Sequence, residues 1–168
     1  MRIPGVGVFV LAALAAACRS PDPSTAVDVS GTETYWAIDQ AQGERQFIAP
    51  VVRFTVHNKG DKPLRTLEAQ ATFRRKGEDV IWSSAWTKVT GSNSSPLAAG
   101  GRSLVVLKPE GEGRYFTNGT PESMFAHPQF RDANVDVFLR IGSSPWTKSF
   151  TANVERRIGS RSVQGTPP

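Results

Sequence analysis

The sequence predicts an all-β protein, in the form of a single antiparallel two-sheet sandwich of the immunoglobulin-like, Greek-key type, with about seven strands and one short helix. Apolar residues recur at every second position in several segments, which is typical of strands with one buried and one solvent-exposed face. Residues that favour turns separate these segments. No long amphipathic helix lies between them, so the pattern does not favour a parallel α/β sheet.

Two strands show the alternation most clearly, one within residues 50–58 and one within residues 66–75. Each alternates apolar with polar residues, so one face is predicted to pack in the core. The inward residues are Val52, Phe54 and Val56 in the first strand, and Leu67, Ala69, Ala71 and Phe73 in the second. The segment between the strands contains Asn58, Gly60 and Pro63, whose backbone preferences suit a chain reversal.

The other predicted strands are shorter, and one short helix interrupts them. The strands lie near Tyr35 and within residues 80–86, 101–109, 134–142 and 149–155. The helix is predicted to have Thr120 as its N-cap and Pro121 at its first position, and to end before Pro128. We expect Met124 and Phe125 of this helix to close one end of the sandwich.

Residues 1–17 have the character of an export signal. Arg2 is the only early charge, and residues 6–17 are apolar or small. A membrane-spanning helix needs about 20 apolar residues, so this run is too short to span and predicts a signal peptide.

Residues 14–18, Leu-Ala-Ala-Ala-Cys, resemble the lipobox of bacterial lipoproteins, although Ala15 stands where leucine is commonest. The resemblance implies that residues 1–17 are removed and that Cys18 receives a diacylglycerol and becomes the first residue. It also implies an outer-membrane location on the periplasmic side in a Gram-negative host, because Arg19 stands where inner-membrane lipoproteins typically have Asp. The alternative is ordinary secretion with cleavage after Ala17, which would leave a free thiol in an oxidising compartment.

The processed chain is expected to form one domain. We expect residues 18–33 to be the acylated cysteine and a flexible tether, residues 34–158 the sandwich, and residues 159–168 a disordered tail. The full chain has 20 basic and 15 acidic side chains, a formal charge of +5. A mildly basic exported domain suits partners such as the membrane itself, an envelope protein, or an anionic surface or glycan. Nucleic acid is not expected in that compartment.

Residues 51–107 are similar to small extracytoplasmic sandwich domains of the FxLYD or WHy kind. The turn and strand positions that carry this resemblance are Asn58, Leu64, Gly77, Leu97 and Gly100. The residues Thr-Phe-Arg-Arg-Lys-Gly replace the Leu-Tyr-Asp step that names the first family. The resemblance implies a fold and an interaction role, and it brings over no catalytic residue.

The sequence offers little for catalysis or for a cofactor. It has no G-x-S-x-G motif, and its two histidines, His57 and His127, each lack a second histidine three to five residues away. Asp132 with Asp136, or Glu110 with Glu112, could offer oxygen ligands, but no Asp-rich loop of the calcium-binding type follows. We therefore predict no catalytic residue, no metal and no cofactor.

A short motif occurs twice, sixty residues apart: Ile-Trp-Ser-Ser-Ala-Trp-Thr-Lys at residues 81–88 and Ile-Gly-Ser-Ser-Pro-Trp-Thr-Lys at residues 141–148. Trp86 and Trp146, with Lys88 and Lys148, could form a platform for a sugar ring or a partner protein. The alternative is that both tryptophans pack in the core or cover the end of a sheet.

These observations predict a lipid-anchored, non-catalytic interaction or accessory module of the bacterial cell envelope. The first alternative is a glycan- or cell-wall-binding module that uses exposed tryptophans. A small envelope hydrolase is a more distant alternative.

Overall fold

A computed structural model describes residues 20–42 and 45–159. The described residues form eight β-strands, one short α-helix and two short 3-10 helices, at Ser92–Ser94 and Pro121–Ala126. The elements are α1 (Pro23–Ala26), β1 (Val27–Gln42), β2 (Arg45–Asn58), β3 (Leu67–Arg75), β4 (Ser83–Val89), β5 (Arg102–Leu107), β6 (Tyr115–Thr117), β7 (Ala133–Ile141) and β8 (Thr147–Asn153).

The strands form two four-stranded sheets, and the pairing within each sheet is antiparallel. In the first sheet the order is β1-β2-β5, and β6 pairs with another part of β2. In the second sheet the order is β4-β3-β7-β8. The β3–β4 hairpin connects β2 to β5, which are neighbours in the opposite sheet, as in Greek-key sandwiches. The predicted all-β sandwich is therefore confirmed.

The core lies between the two sheets and contains the side chains that the alternation predicted. All seven inward residues of the two clearest strands are fully buried, with 0 % exposure: Val52, Phe54, Val56, Leu67, Ala69, Ala71 and Phe73. Strand β7 has the same pattern, because its odd-numbered residues from Ala133 to Ile141 are buried. The polar residues that alternate with them consequently lie on the outer surfaces of the sheets.

The folded region begins earlier than predicted, so the assignment of residues 18–33 to a flexible tether is wrong from Pro23 onward. The side chain of Asp22 accepts a hydrogen bond from the Ser24 N–H at 2.9 Å and caps α1, and Val27 is buried. A bulge between Ser30 and Glu33 interrupts the pairing of β1 with β2. Because a bulge disrupts the two-residue period, the pattern did not show this half of the strand. The predicted signal peptide, Cys18 and residues 160–168 of the predicted tail lie outside the described residues.

Smaller differences concern short elements. Strand β6 has only three residues and was not predicted. Strand β4 begins at Ser83, three residues later than expected, and Val80 and Ile81 before it are exposed. The predicted helix is present as the 3-10 helix at residues 121–126, where Met124 is buried; Thr120 makes no side-chain capping bond.

An aromatic cluster closes one end of the sandwich, which we call the far end. The fully buried ring of Trp36 lies at its centre, with four ring centroids 5.2–6.5 Å away. These rings belong to Trp82, Tyr115, Phe125 and Phe130. The predicted role of the short helix at one end of the core is thus confirmed through Phe125 and Met124. The C-terminal segment is held here too, because the Trp36 N–H donates to the Arg157 carbonyl at 2.9 Å.

The other end, which we call the entry end, consists of the loops at residues 59–66 and 90–101 and the β7–β8 turn. Asn58 is fully buried there, and its amide nitrogen donates to carbonyl oxygens of both loops. Leu64 and Leu97 join the same two loops through a backbone bridge. Within residues 20–42 and 45–159, no helix is long and apolar enough to cross a membrane.

Candidate functional site

The candidate site is the solvent-facing surface of the sheet β4-β3-β7-β8, which we call the outer face. Its residues alternate with the buried ones, so Glu68 and Gln70 of β3 point away from the core. The strand register places Trp86 of β4, Gln70 of β3, Phe138 of β7 and Lys148 of β8 in one row across the sheet. Two aromatic side chains and one cation therefore share a single line on this surface.

Trp86 is the most exposed aromatic residue of this face. It lies on the edge strand β4, and 57 % of its surface is accessible. The interpretation that both repeated tryptophans pack in the core is therefore wrong for Trp86. Its indole instead offers a flat apolar surface to a ligand or a partner.

Trp146 lies directly before β8 and is half-buried. The guanidinium of Arg140 lies 4.5 Å from its ring centroid, which is a cation–π contact. Arg140 also forms an ion pair with Glu68, with Nη2 2.5 Å from Oε2. Trp146 thus belongs to the outer face, but one side of its ring is occupied by an arginine.

Asp136 is the centre of a second charged group on the outer face. Its carboxylate oxygens lie 2.5 Å from Arg74 Nη1 and 2.6 Å from Lys148 Nζ, and the Thr151 hydroxyl donates to it at 2.5 Å. Burial of this carboxylate opposes ionisation, but the hydrogen bonds from Lys148, Thr151 and Arg74 outweigh that effect and lower the pKa of Asp136 to about 2. Asp136 is consequently ionised at neutral pH and fixes its neighbours in place.

The two lysines of the repeated motif have different surroundings. Lys148 is the ion-pair partner of Asp136. Lys88 is exposed and lies opposite Glu68, whose carboxylate binds Arg140 instead. Among the described residues, Lys88 has no ion-pair partner, so it is the cation of this motif that is available to a ligand.

The two tryptophans lie on the opposite edges of one sheet, since β4 and β8 are its outermost strands. Three strand spacings separate these edges, which corresponds to about 14 Å. A single sugar ring is too small to contact both indoles. Only an extended ligand or another protein surface could cover Trp86 and Trp146 together, and it would also cover Phe138 between them.

Phe138, Arg140 and the ion pairs of Glu68 and Asp136 were not predicted from the sequence. Phe138 occupies an outward position of β7, between the buried residues Val137 and Leu139. An aromatic residue on the polar side of a regular alternation was therefore the signal available in the sequence. The ion pairs of Glu68 with Arg140 and of Asp136 with Arg74 have no such signal, because they join residues more than sixty positions apart.

The opposite sheet also exposes apolar side chains, although they are not arranged in the same way. Leu104 and Val106 of β5 are 59 % and 47 % exposed, and they lie opposite Thr55 and Arg53. This surface has no exposed tryptophan among the described residues. Leu104 is thus a suitable comparison for Trp86, because both are exposed apolar residues on an edge strand.

The described residues contain no group of three His, Cys, Asp or Glu side chains that could hold a metal ion. His57 is half-buried on β2, and His127 Nδ1 accepts a hydrogen bond from the Gln129 N–H at 3.2 Å. One groove of about 320 Å³ lies beside β1 and β8, and another of about 370 Å³ lies beside Trp82 and Glu112. Neither groove is lined by a histidine or cysteine of the described chain.

No protein-family model matches the sequence, and no curated protein matches it. Among solved structures, the chain is similar to one titled "X-ray structure of Northeast Structural Genomics Consortium target SoR45". The two chains are 10 % identical, and their TM-score is 0.39. The similarity covers 88 % of this chain and 96 % of the other.

Proposed function

We propose that the protein is a lipid-anchored, non-catalytic interaction module of the bacterial envelope, and that it binds a partner protein through the outer face. The lipobox-like residues 14–18 support the anchor, because a diacylated Cys18 would hold the chain on a membrane without a spanning helix. The anchor confines the domain to the membrane surface and so raises its effective concentration towards neighbouring proteins.

The observation that carries the proposal is the exposed indole of Trp86 on the same face as Phe138 and Trp146. Protein interfaces are enriched in aromatic residues and arginine, and such residues contribute most of the binding energy. Glu68 with Arg140 and Asp136 with Lys148 are already paired. A partner could therefore cover these charges without leaving either member of a pair alone.

A glycan is the second candidate ligand, and the exposure of Trp86 favours it specifically. Within the described residues, no other ring contacts this indole, so a sugar ring could stack on it. The separation of about 14 Å between the edge strands means that the glycan would have to be a polymer to reach Trp146 as well. Lys88 would favour an anionic polymer.

Two substitutions test the proposed face against a matched control. The full chain with Trp86→Ala should lose most capture of its protein partner from envelope extracts, whereas Leu104→Ala should retain it. Both changes remove an exposed apolar side chain, so neither should alter the free energy of unfolding by more than about 0.5 kcal/mol. Equal capture by both variants would contradict the assignment of the face. Binding of the wild type to purified wall polymer, lost only with Trp86→Ala, would instead identify the glycan.

The anchor is tested separately with Cys18→Ser. The wild type should incorporate labelled palmitate and sediment with membranes after a salt wash, and the variant should do neither. A wild-type chain that never acquires the label, or a variant that is held equally firmly, would overturn the anchoring part of the proposal.

A further inference from the structure

The path of the chain at Ser20 determines which end of the sandwich is closest to the proposed lipid. Ser20 Oγ accepts a hydrogen bond from the Ser143 N–H at 3.2 Å, so this residue is fixed to the β7–β8 turn at the entry end. Two residues of fully extended chain span at most about 7 Å, so Cys18 has to lie within that distance of Ser20 whatever the conformation between them. A lipid on Cys18 would hold the entry end among the headgroups.

The charges of the two ends of the sandwich differ in sign. At the entry end, four exposed cations have no ion-pair partner within the described part of the chain: Lys62, Arg65, Lys88 and Arg102. At the far end, four exposed carboxylates lack an ion pair among the described residues: Asp79, Glu110, Glu112 and Glu122. Two exposed cations there, Lys76 and Arg131, likewise lack an ion pair, so the unpaired groups of the far end sum to an excess of two negative charges.

The acidic groups of the entry end do not cancel its positive charge. Asp28 is neutralised by Lys59 at 3.0 Å, and Glu68 by Arg140. Asp61, next to Lys62 in the chain, and Asp22, which caps α1, are also exposed at this end. Two carboxylates thus stand against the four cations, and their sum is positive, close to the point where the chain leads to Cys18.

We propose that the entry end is a membrane-contacting surface that binds anionic lipid headgroups through Lys62, Arg65 and Arg102, with Lys88 at its margin. This inference rests on the proposed acylation of Cys18, because the lipid on that residue is what would bring the entry end to the membrane. One lipid anchor and a basic surface would together hold the domain in a fixed orientation. The sheets would stand away from the bilayer, and the outer face would remain open to a partner.

The length of the sandwich explains why only the charges of the entry end would interact with the anionic headgroups. Strand β2, Arg45–Asn58, runs from the far end to the entry end. A strand of 14 residues is about 45 Å long, so the two ends of the sandwich are separated by about that distance. The far end would therefore lie several Debye lengths from the lipid surface. Carboxylates at that distance are screened from the negative headgroups. The cations of the entry end would lie within about one Debye length, where each contributes roughly a fivefold gain in membrane partitioning.

The first experiment measures the electrostatic contribution without the lipid. The full chain with Cys18→Ser is mixed with vesicles of phosphatidylcholine alone or of equimolar phosphatidylcholine and phosphatidylglycerol. On that background, Lys62→Gln with Arg102→Gln should weaken binding to the anionic vesicles by on the order of tenfold or more at low salt. The matched control, Lys76→Gln with Arg131→Gln, removes two cations from the far end and should leave binding unchanged. Equal binding of the two double variants would overturn the inference.

The second experiment measures orientation in the acylated chain. A fluorophore is placed on a single introduced thiol, at Ala99→Cys of the entry end or Asn118→Cys of the far end, and the vesicles contain a headgroup quencher. Quenching should be strong at position 99 and weak at position 118. Equal quenching, with palmitate present on Cys18, would refute the membrane-contacting surface and leave the anchor intact. Absence of palmitate would refute the anchor, while the first experiment would still report on the entry end.

Discussion

Asn58 provides the most stringent test of how the entry end is held together. Its Nδ2 lies 2.9 Å from the Lys62 carbonyl oxygen, 3.2 Å from that of Leu97 and 2.9 Å from that of Ala98, and its Oδ1 accepts from the Gly60 N–H at 2.9 Å. An amide nitrogen has two hydrogens, so three bonds, including the one to Gly60, can form at once. Each contributes about 1 kcal/mol, and buried carbonyls left without a donor cost more. Asn58→Ala should therefore reduce the free energy of unfolding by about 3–4 kcal/mol.

Urea denaturation followed by tryptophan fluorescence measures this loss in the full chain. In thermal denaturation we expect a fall in Tm of about 12–16 °C for a domain of this size, at roughly 4 °C per kcal/mol. Asn134→Ala is the matched control, because the Asn134 side chain is half-buried on the outer side of β7 and makes no side-chain hydrogen bond with another described residue. It should change the stability by less than about 0.5 kcal/mol. A loss below about 1 kcal/mol for Asn58→Ala, or equal losses for the two variants, would refute the reasoning.

Two further predictions concern the outer face and the entry end. The pKa of Asp136 is lowered from 3.8 to about 2 in the folded chain, so its ionised form contributes stability above pH 4 that is lost as the pH falls towards 2. Asp136→Asn should consequently be about 2 kcal/mol less stable than the wild type at pH 6, and the stabilities of the two proteins should converge only as the pH falls to about 2 and below; a gap independent of pH would contradict this. Gly142 has a φ of +56°, and a Cβ there would lie 2.6 Å from Ser20 Oγ. Gly142→Ala should therefore destabilise the chain by about 1–2 kcal/mol and increase amide exchange at Ser143, and unchanged exchange there would show that Ser20 is not fixed to this turn.

The strands that the sequence predicted well are those whose pattern is uninterrupted. In β3 the four predicted inward residues from Leu67 to Phe73 are buried, so the period identified both the strand and its inward face, and in β7 it identified the strand. The first half of β1 was missed because Gly31, whose φ is positive, lies beside a bulge that shifts the register. Composition then favoured a tether, since this segment is rich in Ser, Thr and Gly.

The candidate site was predicted only in part, for a different physical reason. Trp86 and Trp146 stood out in the sequence because the motif around them is repeated. Their position on one face depends on the pairing order β4-β3-β7-β8, which sequence spacing does not determine. The same holds for the contact of Arg140 with Trp146 and for the pairing of Asp136 with Arg74. Contacts of this kind require the register between strands that are distant in the chain.

The most direct test of the central claim is site-specific photo-crosslinking of the full chain in its own envelope. A benzophenone side chain replaces Trp86 on the outer face or Leu104 on the opposite sheet, and irradiated membranes are analysed for higher-mass adducts. If the outer face binds the partner, position 86 should give a discrete adduct and position 104 should give none. An adduct from position 104 alone, or equal adducts from both positions, would show that the outer face is not the binding surface.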